Sequence, residues 1–92
     1  GGENRGGHAY KLNKEFIIAL SGSLEVVLSN GKEREVFTLN RSYYGLYVPN
    51  GYWREMVNFS TNSVAFVVGS MPYDPDDYIH EYDDFLKYCD NE

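Results

Sequence analysis

The sequence predicts a small all-β domain that ends in a single α-helix. Several short apolar segments follow one another, and turn-forming residues separate them at close spacing. The dipeptide Asn30-Gly31 stands between two such segments and is typical of a β-hairpin. After Asp74, apolar residues recur with helical spacing instead. Because 92 residues suffice for one domain, we expect one β-sandwich or β-barrel with a helix at its C-terminal end.

Six strands are predicted in the order of the chain. They cover residues 15–20, 24–29, 33–39, 43–48, 53–59 and 64–68. Asn30-Gly31 suits a two-residue type I′ turn, which needs a positive φ at both positions. In the fifth strand the side chains alternate, so Arg54 and Met56 point to the face opposite Trp53. The sixth strand is wholly apolar, and we expect it at the centre of a sheet.

The helix is predicted to begin at Asp74. Aspartate suits the N-cap position and Pro75 the first helical position, and acidic residues in the first turn complement the positive end of the helix dipole. The apolar residues with helical spacing form one stripe: Tyr78, Tyr82, Phe85, Leu86 and Cys89. We expect this stripe to pack on a sheet or on a neighbouring subunit, with His80 exposed on the opposite side.

The charge balance and the cysteine content limit the kinds of partner. Fourteen acidic and eight basic residues leave a net charge of -6, which disfavours binding to nucleic-acid phosphates. The single cysteine, Cys89, excludes an internal disulfide and agrees with a reducing compartment. No apolar run is long enough for a membrane span, and no signal-peptide pattern is present. We therefore expect a cytoplasmic protein that binds neither nucleic acid nor a membrane.

Two segments carry chemically versatile side chains at regular intervals. The first contains Gly6, His8-Ala9-Tyr10, Glu15 and Gly22, and the second contains Gly45, Pro49-Asn50-Gly51, Arg54 and Asn58. This double spacing resembles the two motifs of the cupin superfamily. The resemblance implies a small jelly-roll β-barrel (RmlC-like) in which both segments face one pocket.

Two positions where the cupin motifs have metal-binding histidines hold Tyr10 and Arg54 here. A catalytic metal ion needs about three or four protein ligands, and His8 with Glu15 supplies only two. Arg54 is permanently charged and repels a cation. We therefore predict that the protein has no metal and no other cofactor. An arginine in this position suits a phosphate, a carboxylate or a developing oxyanion.

A narrower resemblance covers almost the whole chain. It is carried by Arg5-Gly-Gly-His-Ala-x-Lys11, Ser21-Gly-Ser, Gly45-Leu-Tyr-Val-Pro, Trp53-Arg-Glu-Met56, Ser70-x-x-Tyr73-Asp and Asp77-Tyr-Ile-x-x-Tyr82. These motifs are similar to those of the WxcM-like sugar 3,4-ketoisomerases, metal-free cupins that act on dTDP-4-keto-6-deoxyglucose during the synthesis of bacterial surface polysaccharides. The resemblance implies one WxcM-like cupin domain over residues 1–92, a homodimer with exchanged strands, and the lack of the family's N-terminal strands.

The resemblance and the residue chemistry together suggest roles for the central residues. His8 is the candidate general base, because one imidazole can take a proton from C3 of the sugar and return it at C4. Tyr10, where the family has a second histidine, either donates a proton to a sugar oxygen or merely fills the site. Arg54 either anchors substrate oxygens or pairs with Glu15, which is itself a candidate substrate-binding residue.

Three further residues are candidate substrate contacts. Arg5 and Lys11 would meet the diphosphate of the nucleotide sugar, or are simply solvated. Tyr47 would stack on the base or the sugar, or else contributes to the core or an interface. Isomerisation is the leading hypothesis, and two alternatives stay open: a non-catalytic module that binds a sugar or nucleotide sugar, and a metal-dependent cupin that uses His8, Tyr10 and Glu15.

Overall fold

The computed structural model describes the backbone of residues 5–90 and the side chains of residues 6–90. Within that range the chain forms eight strands and one helix. They are β1 (Arg5–Tyr10), β2 (Glu15–Ser21), β3 (Leu24–Ser29), β4 (Arg34–Leu39), β5 (Leu46–Val48), β6 (Trp53–Val57), β7 (Val64–Gly69), β8 (Tyr78–Ile79) and α1 (Tyr82–Asp90). The predicted all-β class with one C-terminal helix is confirmed. No helix in this range is both long and apolar enough to cross a membrane.

The strands form two antiparallel sheets with a core between them. The larger sheet has the order β4-β3-β6-β1-β8, and the smaller sheet has the order β5-β2-β7. Alternate side chains of both sheets point into the space between the sheets. The buried apolar residues there are Ile17, Ala19, Leu24, Val26, Leu28, Leu39, Val48 and Met56. We call the side of each sheet that faces this core its inner face, and the opposite side its outer face.

A second core lies on the outer face of the larger sheet, next to helix α1. Its buried members are Ala9, Trp53, Ile79 and Phe85. The rings of Trp53 and Phe85 lie 5.9 Å apart. Gly7 lacks a side chain, and this matters because a Cβ atom there would collide with the Trp53 indole. Helix α1 therefore covers the outer face of β1 and β6 and leaves their inner face to the main core.

The helix begins at Tyr82, so the predicted start at Asp74 was wrong. The backbone carbonyl of Asp74 accepts the N–H of Asp77 at 3.0 Å, which closes a turn. The Asp77 carboxylate then accepts the backbone N–H groups of residues 12 and 13, at 2.7 and 3.0 Å. Such hydrogen bonds compete with helix formation, and they direct the following residues into β8 beside β1. His80 follows this strand and does not lie on the helix.

Strand β7 lies at an edge of the smaller sheet, so its predicted central position was wrong. Its residues Val64, Phe66 and Val68 are 51%, 50% and 46% exposed. The strand that the apolar pattern predicts is confirmed. Its place in the sheet depends on long-range pairing, which a local pattern does not contain.

The loop between β3 and β4 also differs from its prediction, although the hairpin itself is confirmed. Gly31 has a φ of 91°, but Asn30 does not have a positive φ. The Asn30 side chain instead accepts the N–H groups of Lys32 and Glu33, at 2.9 and 2.7 Å. Residues 30–33 therefore form a longer connection in place of a two-residue type I′ turn.

Candidate active site

The two segments singled out in the sequence meet between the sheets. Strand β1 pairs with β6 so that His8 lies opposite Arg54. Because side chains alternate along a strand, His8, Tyr10 and Arg54 share the inner face of the larger sheet. Glu15 faces them from β2 in the smaller sheet, within contact distance of His8 and Arg54. The structure therefore brings four of the predicted site residues into one cluster.

Arg54 and Glu15 form a buried ion pair with two hydrogen bonds. Arg54 Nε donates to Glu15 Oε1 at 2.8 Å, and Arg54 Nη2 donates to Glu15 Oε2 at 3.1 Å. Both side chains are 6% exposed. Of the two roles considered for Arg54, the structure therefore contains the pairing with Glu15. This pairing fixes the plane of the guanidinium group and occupies both carboxylate oxygens.

His8 lies beside this ion pair without a hydrogen bond to it. The His8 Nε2 atom is 3.6 Å from Glu15 Oε1, and the imidazole is 13% exposed. This buried nitrogen has no hydrogen-bond partner among the described residues. Buried polar atoms are usually paired, so an unpaired one calls for a functional explanation. An imidazole nitrogen without a protein partner can take up a proton when a ligand brings one within hydrogen-bond reach.

The carboxylate of Glu15 carries its negative charge at neutral pH. Burial raises the pKa of Glu15, but the neighbouring His8 and the ion pair with Arg54 lower it more, so that the pKa lies below its usual value. The ionised carboxylate therefore holds the Arg54 guanidinium group in place directly beside the His8 imidazole.

Tyr10 lies next to His8, with the ring centroids 5.1 Å apart and the rings at 74°. Burial raises the pKa of Tyr10 above its usual 10.0, and the charge of Glu15 raises it further, while Arg54 acts in the opposite direction. The phenol is therefore protonated at neutral pH. It suits the role of a proton or hydrogen-bond donor and not that of a base.

An aromatic group that was absent from the predicted site borders His8 and Tyr10. Strand β8 places Tyr78 opposite Tyr10, and the Tyr78 ring lies 5.1 Å from His8 and 5.5 Å from Tyr10. Tyr73 and His80 contact Tyr78 in turn, at 5.7 and 5.9 Å. One signal for this strand was present in the sequence, because a tyrosine followed by a β-branched residue favours a strand. The Asp-Pro pair before it favoured a helix instead.

The remaining predicted contacts do not join this cluster. Tyr47 is 53% exposed on the outer face of the smaller sheet, because its neighbour Val48 is the residue that faces the core. Lys11 follows β1 and is exposed beside the acidic loop at residues 74–77. The side chain of Arg5 lies outside the described residues.

The described side chains include no group of three His, Cys, Asp or Glu residues that could hold a metal ion. In addition, Arg54 occupies both oxygens of Glu15, which was one of the two possible ligands. The residues present therefore do not resemble a metal centre, and a metal-free site stays a prediction that metal analysis can test.

Comparisons with known proteins identify the relatives of this chain. The family model described as "FdtA: WxcM-like, C-terminal" matches residues 1–90. The curated TDP-4-oxo-6-deoxy-alpha-D-glucose-3,4-oxoisomerase of Aneurinibacillus thermoaerophilus is 42% identical over 88 residues, which are 96% of this chain and 63% of that protein.

Solved structures agree with this match. The WlaRB TDP-quinovose 3,4-ketoisomerase from Campylobacter jejuni has a TM-score of 0.85 at 42% identity, over 92% of this chain and 65% of the other. A single-residue variant of the 3,4-ketoisomerase QdtA from Thermoanaerobacterium thermosaccharolyticum, in complex with TDP-4-keto-6-deoxyglucose, has a TM-score of 0.91 at 32% identity, over 98% and 65%. The chain thus spans 63% of the curated relative and 65% of both structures.

A more distant likeness concerns the fold alone. The rmlC epimerase of Mycobacterium tuberculosis has a TM-score of 0.70 at 21% identity, over 82% of this chain and 43% of the other. Together with the two packed antiparallel sheets, this likeness confirms the predicted RmlC-like jelly-roll fold.

Proposed function

The chain belongs to the FdtA family of WxcM-like C-terminal domains, and on that premise we propose that it is a 3,4-ketoisomerase of a TDP-linked 4-keto-6-deoxyhexose. The relatives bear the names of such isomerases. The observation that supports this activity most directly is the buried, unpartnered Nε2 atom of His8 beside the ionised Glu15. An imidazole nitrogen without a protein partner suits proton abstraction from a ligand.

The proposed reaction moves a carbonyl group from C4 to C3 of the sugar by proton transfers. His8 removes the proton from C3 while Tyr10 donates a proton to O4, which yields an enediol. The O3 hydroxyl then returns a proton to the Tyr10 phenolate as the new C3 carbonyl forms, and His8 returns its proton to C4. Electrons and atoms balance within the sugar, so the reaction needs no external oxidant or reductant. His8 can serve both carbon atoms if they present the same face to the imidazole.

The neighbouring residues have supporting roles in this proposal. Tyr10, with its raised pKa, donates a proton or a hydrogen bond to O4. Arg54 has N–H groups beyond the two that bind Glu15, and a guanidinium group can stabilise the negative charge that develops on a sugar oxygen. Glu15 acts indirectly in this geometry, because both of its oxygens bind Arg54. Arg5 and Lys11 stay candidate contacts for the nucleotide part, whereas Tyr47 lies on the outer face of the smaller sheet.

The direct test follows TDP-4-keto-6-deoxyglucose by proton NMR in deuterated buffer with the full chain. We expect the 3-keto isomer to appear, with solvent deuterium at C4 to the extent that the proton on His8 exchanges with solvent before it is returned. In a His8→Asn variant the rate should fall about 100- to 10,000-fold, the usual contribution of a general base. A folded wild-type protein that yields neither isomer nor exchange at C3 would contradict the proposal.

A second function has one specific observation in its favour, the phenol of Tyr10 where the family motif has a histidine. In that case the chain binds the nucleotide sugar without turnover. A Tyr10→His variant separates the two functions. If the wild type is inactive but binds TDP, and the variant gains activity, the chain is a binding module with a degenerate site. If the wild type is active, the binding-only function is excluded.

We also propose that the protein forms a homodimer through the outer face of the smaller sheet. Exposed apolar side chains from all three of its strands share this face: Phe16, Leu20, Tyr47, Phe66 and Val68. Their exposed fractions lie between 41% and 53%. A contiguous apolar surface of this kind marks an interaction site more often than a solvated surface. A second copy of the chain is the partner that the family resemblance implies.

Light scattering during gel filtration tests the dimer. A Phe66→Lys substitution places a charge in the middle of the apolar face and should convert the dimer to a monomer. The matched control is Val36→Lys on strand β4, where Val36 is 48% exposed outside this face, and it should stay dimeric. A monomeric wild type, or a variant at Phe66 that stays dimeric, would contradict the proposal.

The isomerase proposal includes three further predictions about this protein. Residues 1–92 form a single domain, the protein is cytoplasmic, and the reaction proceeds without a metal. Metal analysis of the purified, active protein tests the last of them. A stoichiometric transition metal that is required for turnover would favour a metal-dependent cupin instead.

A further inference from the structure

One aromatic ring contacts both of the groups to which we assign proton transfer. Tyr78 lies in the two-residue strand β8, opposite Tyr10 in β1. Its ring centroid is 5.1 Å from that of His8, at 42°, and 5.5 Å from that of Tyr10, at 56°. His8 and Tyr10 also contact each other at 5.1 Å. The three rings therefore form a closed triangle on the inner face of the larger sheet.

The His8 imidazole is not oriented by a hydrogen bond at Nε2. That atom has no partner among the described residues, and Glu15 Oε1, at 3.6 Å, already accepts the Nε hydrogen of Arg54. Catalytic imidazoles are commonly held by a hydrogen bond from one ring nitrogen to a fixed group. Here the contacts that restrict rotation of the imidazole include the rings of Tyr10 and Tyr78. Proton transfer depends strongly on such orientation.

Tyr78 is itself held on several sides. The Asp77 carboxylate accepts two backbone N–H groups from residues 12 and 13, and the Lys11 N–H donates to the Asp77 carbonyl at 3.0 Å. These bonds attach β8 to the chain that follows β1. The ring of His80 stacks on Tyr78 at 13°, and Tyr73 meets it edge-on at 67°. Tyr78 is therefore contacted on several sides and attached to a paired strand, as a positioning residue needs.

We propose that Tyr78 is a positioning residue that holds His8 and Tyr10 in the orientation for proton transfer. This role rests on the proposed isomerase function. It belongs to the aromatic ring and not to the hydroxyl group, because the observed contacts are ring-to-ring contacts. Tyr78 acts through its neighbours, so its loss should slow the chemical step more than it weakens substrate binding.

The test compares Tyr78→Ala, which removes the ring, with Tyr78→Phe, which keeps it. We expect Tyr78→Ala to lower kcat by about 10- to 100-fold with KM changed less than about 3-fold, as misorientation of a base predicts. Tyr78→Phe should retain kcat within about 2-fold, because the ring is preserved. In NMR spectra of the free protein, the carbon-bound protons of His8 should shift in Tyr78→Ala, since they lose the ring current of Tyr78, and should stay in place in Tyr78→Phe.

The matched control is Tyr82→Ala on the outer face. Tyr82 also packs against two aromatic rings, Trp53 at 5.3 Å and Phe85 at 5.9 Å, so its removal should destabilise the fold without moving the His8 signals. If Tyr78→Ala does not fold, Tyr78→Leu keeps the apolar volume without the ring and is expected to behave as Tyr78→Ala.

Two outcomes would overturn the positioning role. In the first, the variants without the ring keep kcat and the His8 signals of the wild type. In the second, Tyr78→Phe loses as much kcat as Tyr78→Ala, which would assign the effect to the hydroxyl group. If the wild type itself shows no turnover, the isomerase proposal fails, but the His8 signals of the free protein still decide whether Tyr78 holds the imidazole.

Discussion

The two faces of strands β1 and β6 are built from neighbouring residues and have opposite properties. On the inner face His8 lies opposite Arg54, beside the buried Glu15, while on the outer face Ala9 lies opposite Trp53, next to helix α1. Burial of the outer apolar surface stabilises the fold by about 25 cal/mol per Å². A buried ion pair contributes little net stability, because desolvation offsets the attraction. The same two strands thus pack against the helix on one face and carry the candidate site residues on the other. Mutations on the outer face should therefore change mainly stability, and mutations on the inner face should also change the site.

The largest effect on stability is expected on the outer face, at Phe85. This side chain has no exposed surface and lies against Trp53. Because Phe85→Ala leaves a cavity, it should lower the free energy of unfolding by about 4 kcal/mol, as measured by urea denaturation. The His8 signals in NMR spectra should not change. If this variant does not fold, Phe85→Leu provides the same comparison with a smaller loss.

The result at Phe85 tests whether the two faces are independent. A Phe85 variant that stays folded but shifts the His8 signals would show that the outer core determines the geometry of the site. A loss of less than about 1 kcal/mol would show that the helix contributes little to the fold.

The next largest effect is expected on the inner face, at Arg54. Substitution of Arg54 by Met leaves the Glu15 carboxylate buried without its main partner, which should lower the free energy of unfolding by about 3 kcal/mol. The neighbouring His8, at 3.6 Å, is the other group that can compensate the charge of Glu15. In contrast to Phe85→Ala, this variant should also shift the His8 signals.

The double variant Glu15→Leu/Arg54→Met tests whether the buried ion pair is a net stabilising element. If desolvation offsets the attraction in this ion pair, removal of both charges should restore most of the stability lost in Arg54→Met, while the proposed isomerase activity stays low. A double variant that is as unstable as the single one would show that the ion pair is a net stabilising element. In that case the inner face would contribute to the stability of the fold as well as to the site.

The residues of the inner face could be predicted from the sequence because their spacing is local. His8, Glu15 and Arg54 occupy positions of the two cupin motifs, which the resemblance assigns to one pocket, and two-residue alternation places Arg54 on the face opposite Trp53. The spacing of residues in the sequence does not give the distance between the side chains of Arg54 and Glu15. The sequence left open whether Arg54 binds Glu15 or a ligand, and that depends on how closely the two sheets pack.

Strands β1 and β8, which pair with each other at one side of the larger sheet, were harder to predict, because their pairing joins residues that are far apart in the sequence. Strand β1 was not recognised, since two glycines in a short segment suggest an irregular chain. Strand β8 was assigned to the helix, because the hydrogen bonds of Asp77 to residues 12 and 13 cannot be read from the local pattern. As a result, Tyr78 was placed on a helix and missed as part of the site.

A smaller effect is expected from the titration of Glu15. Its pKa in the folded protein lies below the usual value of 4.5, so the ionised form contributes stability above that pH. The contribution is lost as the pH falls through the folded pKa. The difference in unfolding free energy between the wild type and Glu15→Gln should therefore shrink as the pH falls below 4.5. A difference that stays constant from neutral to acid pH would mean that Glu15 does not have a lowered pKa.

The smallest expected effect concerns the pKa of Tyr10, which lies on the inner face. Burial first, and the charge of Glu15 second, raise the pKa of Tyr10 above 10.0, so the neutral phenol is favoured in the folded protein. Stability linked to Tyr10 is therefore lost as the pH rises from the unfolded value through the folded one. The pKa can be measured from the Cζ signals of 13C-labelled tyrosines, where Tyr10→Phe identifies the signal.

Substitutions on the two faces should change this pKa differently. Glu15→Gln removes the second cause and should lower the pKa of Tyr10. Phe85→Leu on the outer face should leave the pKa unchanged, since Phe85 belongs to the other core. If Phe85→Leu shifts the Tyr10 pKa as much as Glu15→Gln does, the two faces are coupled through the strands and are not independent.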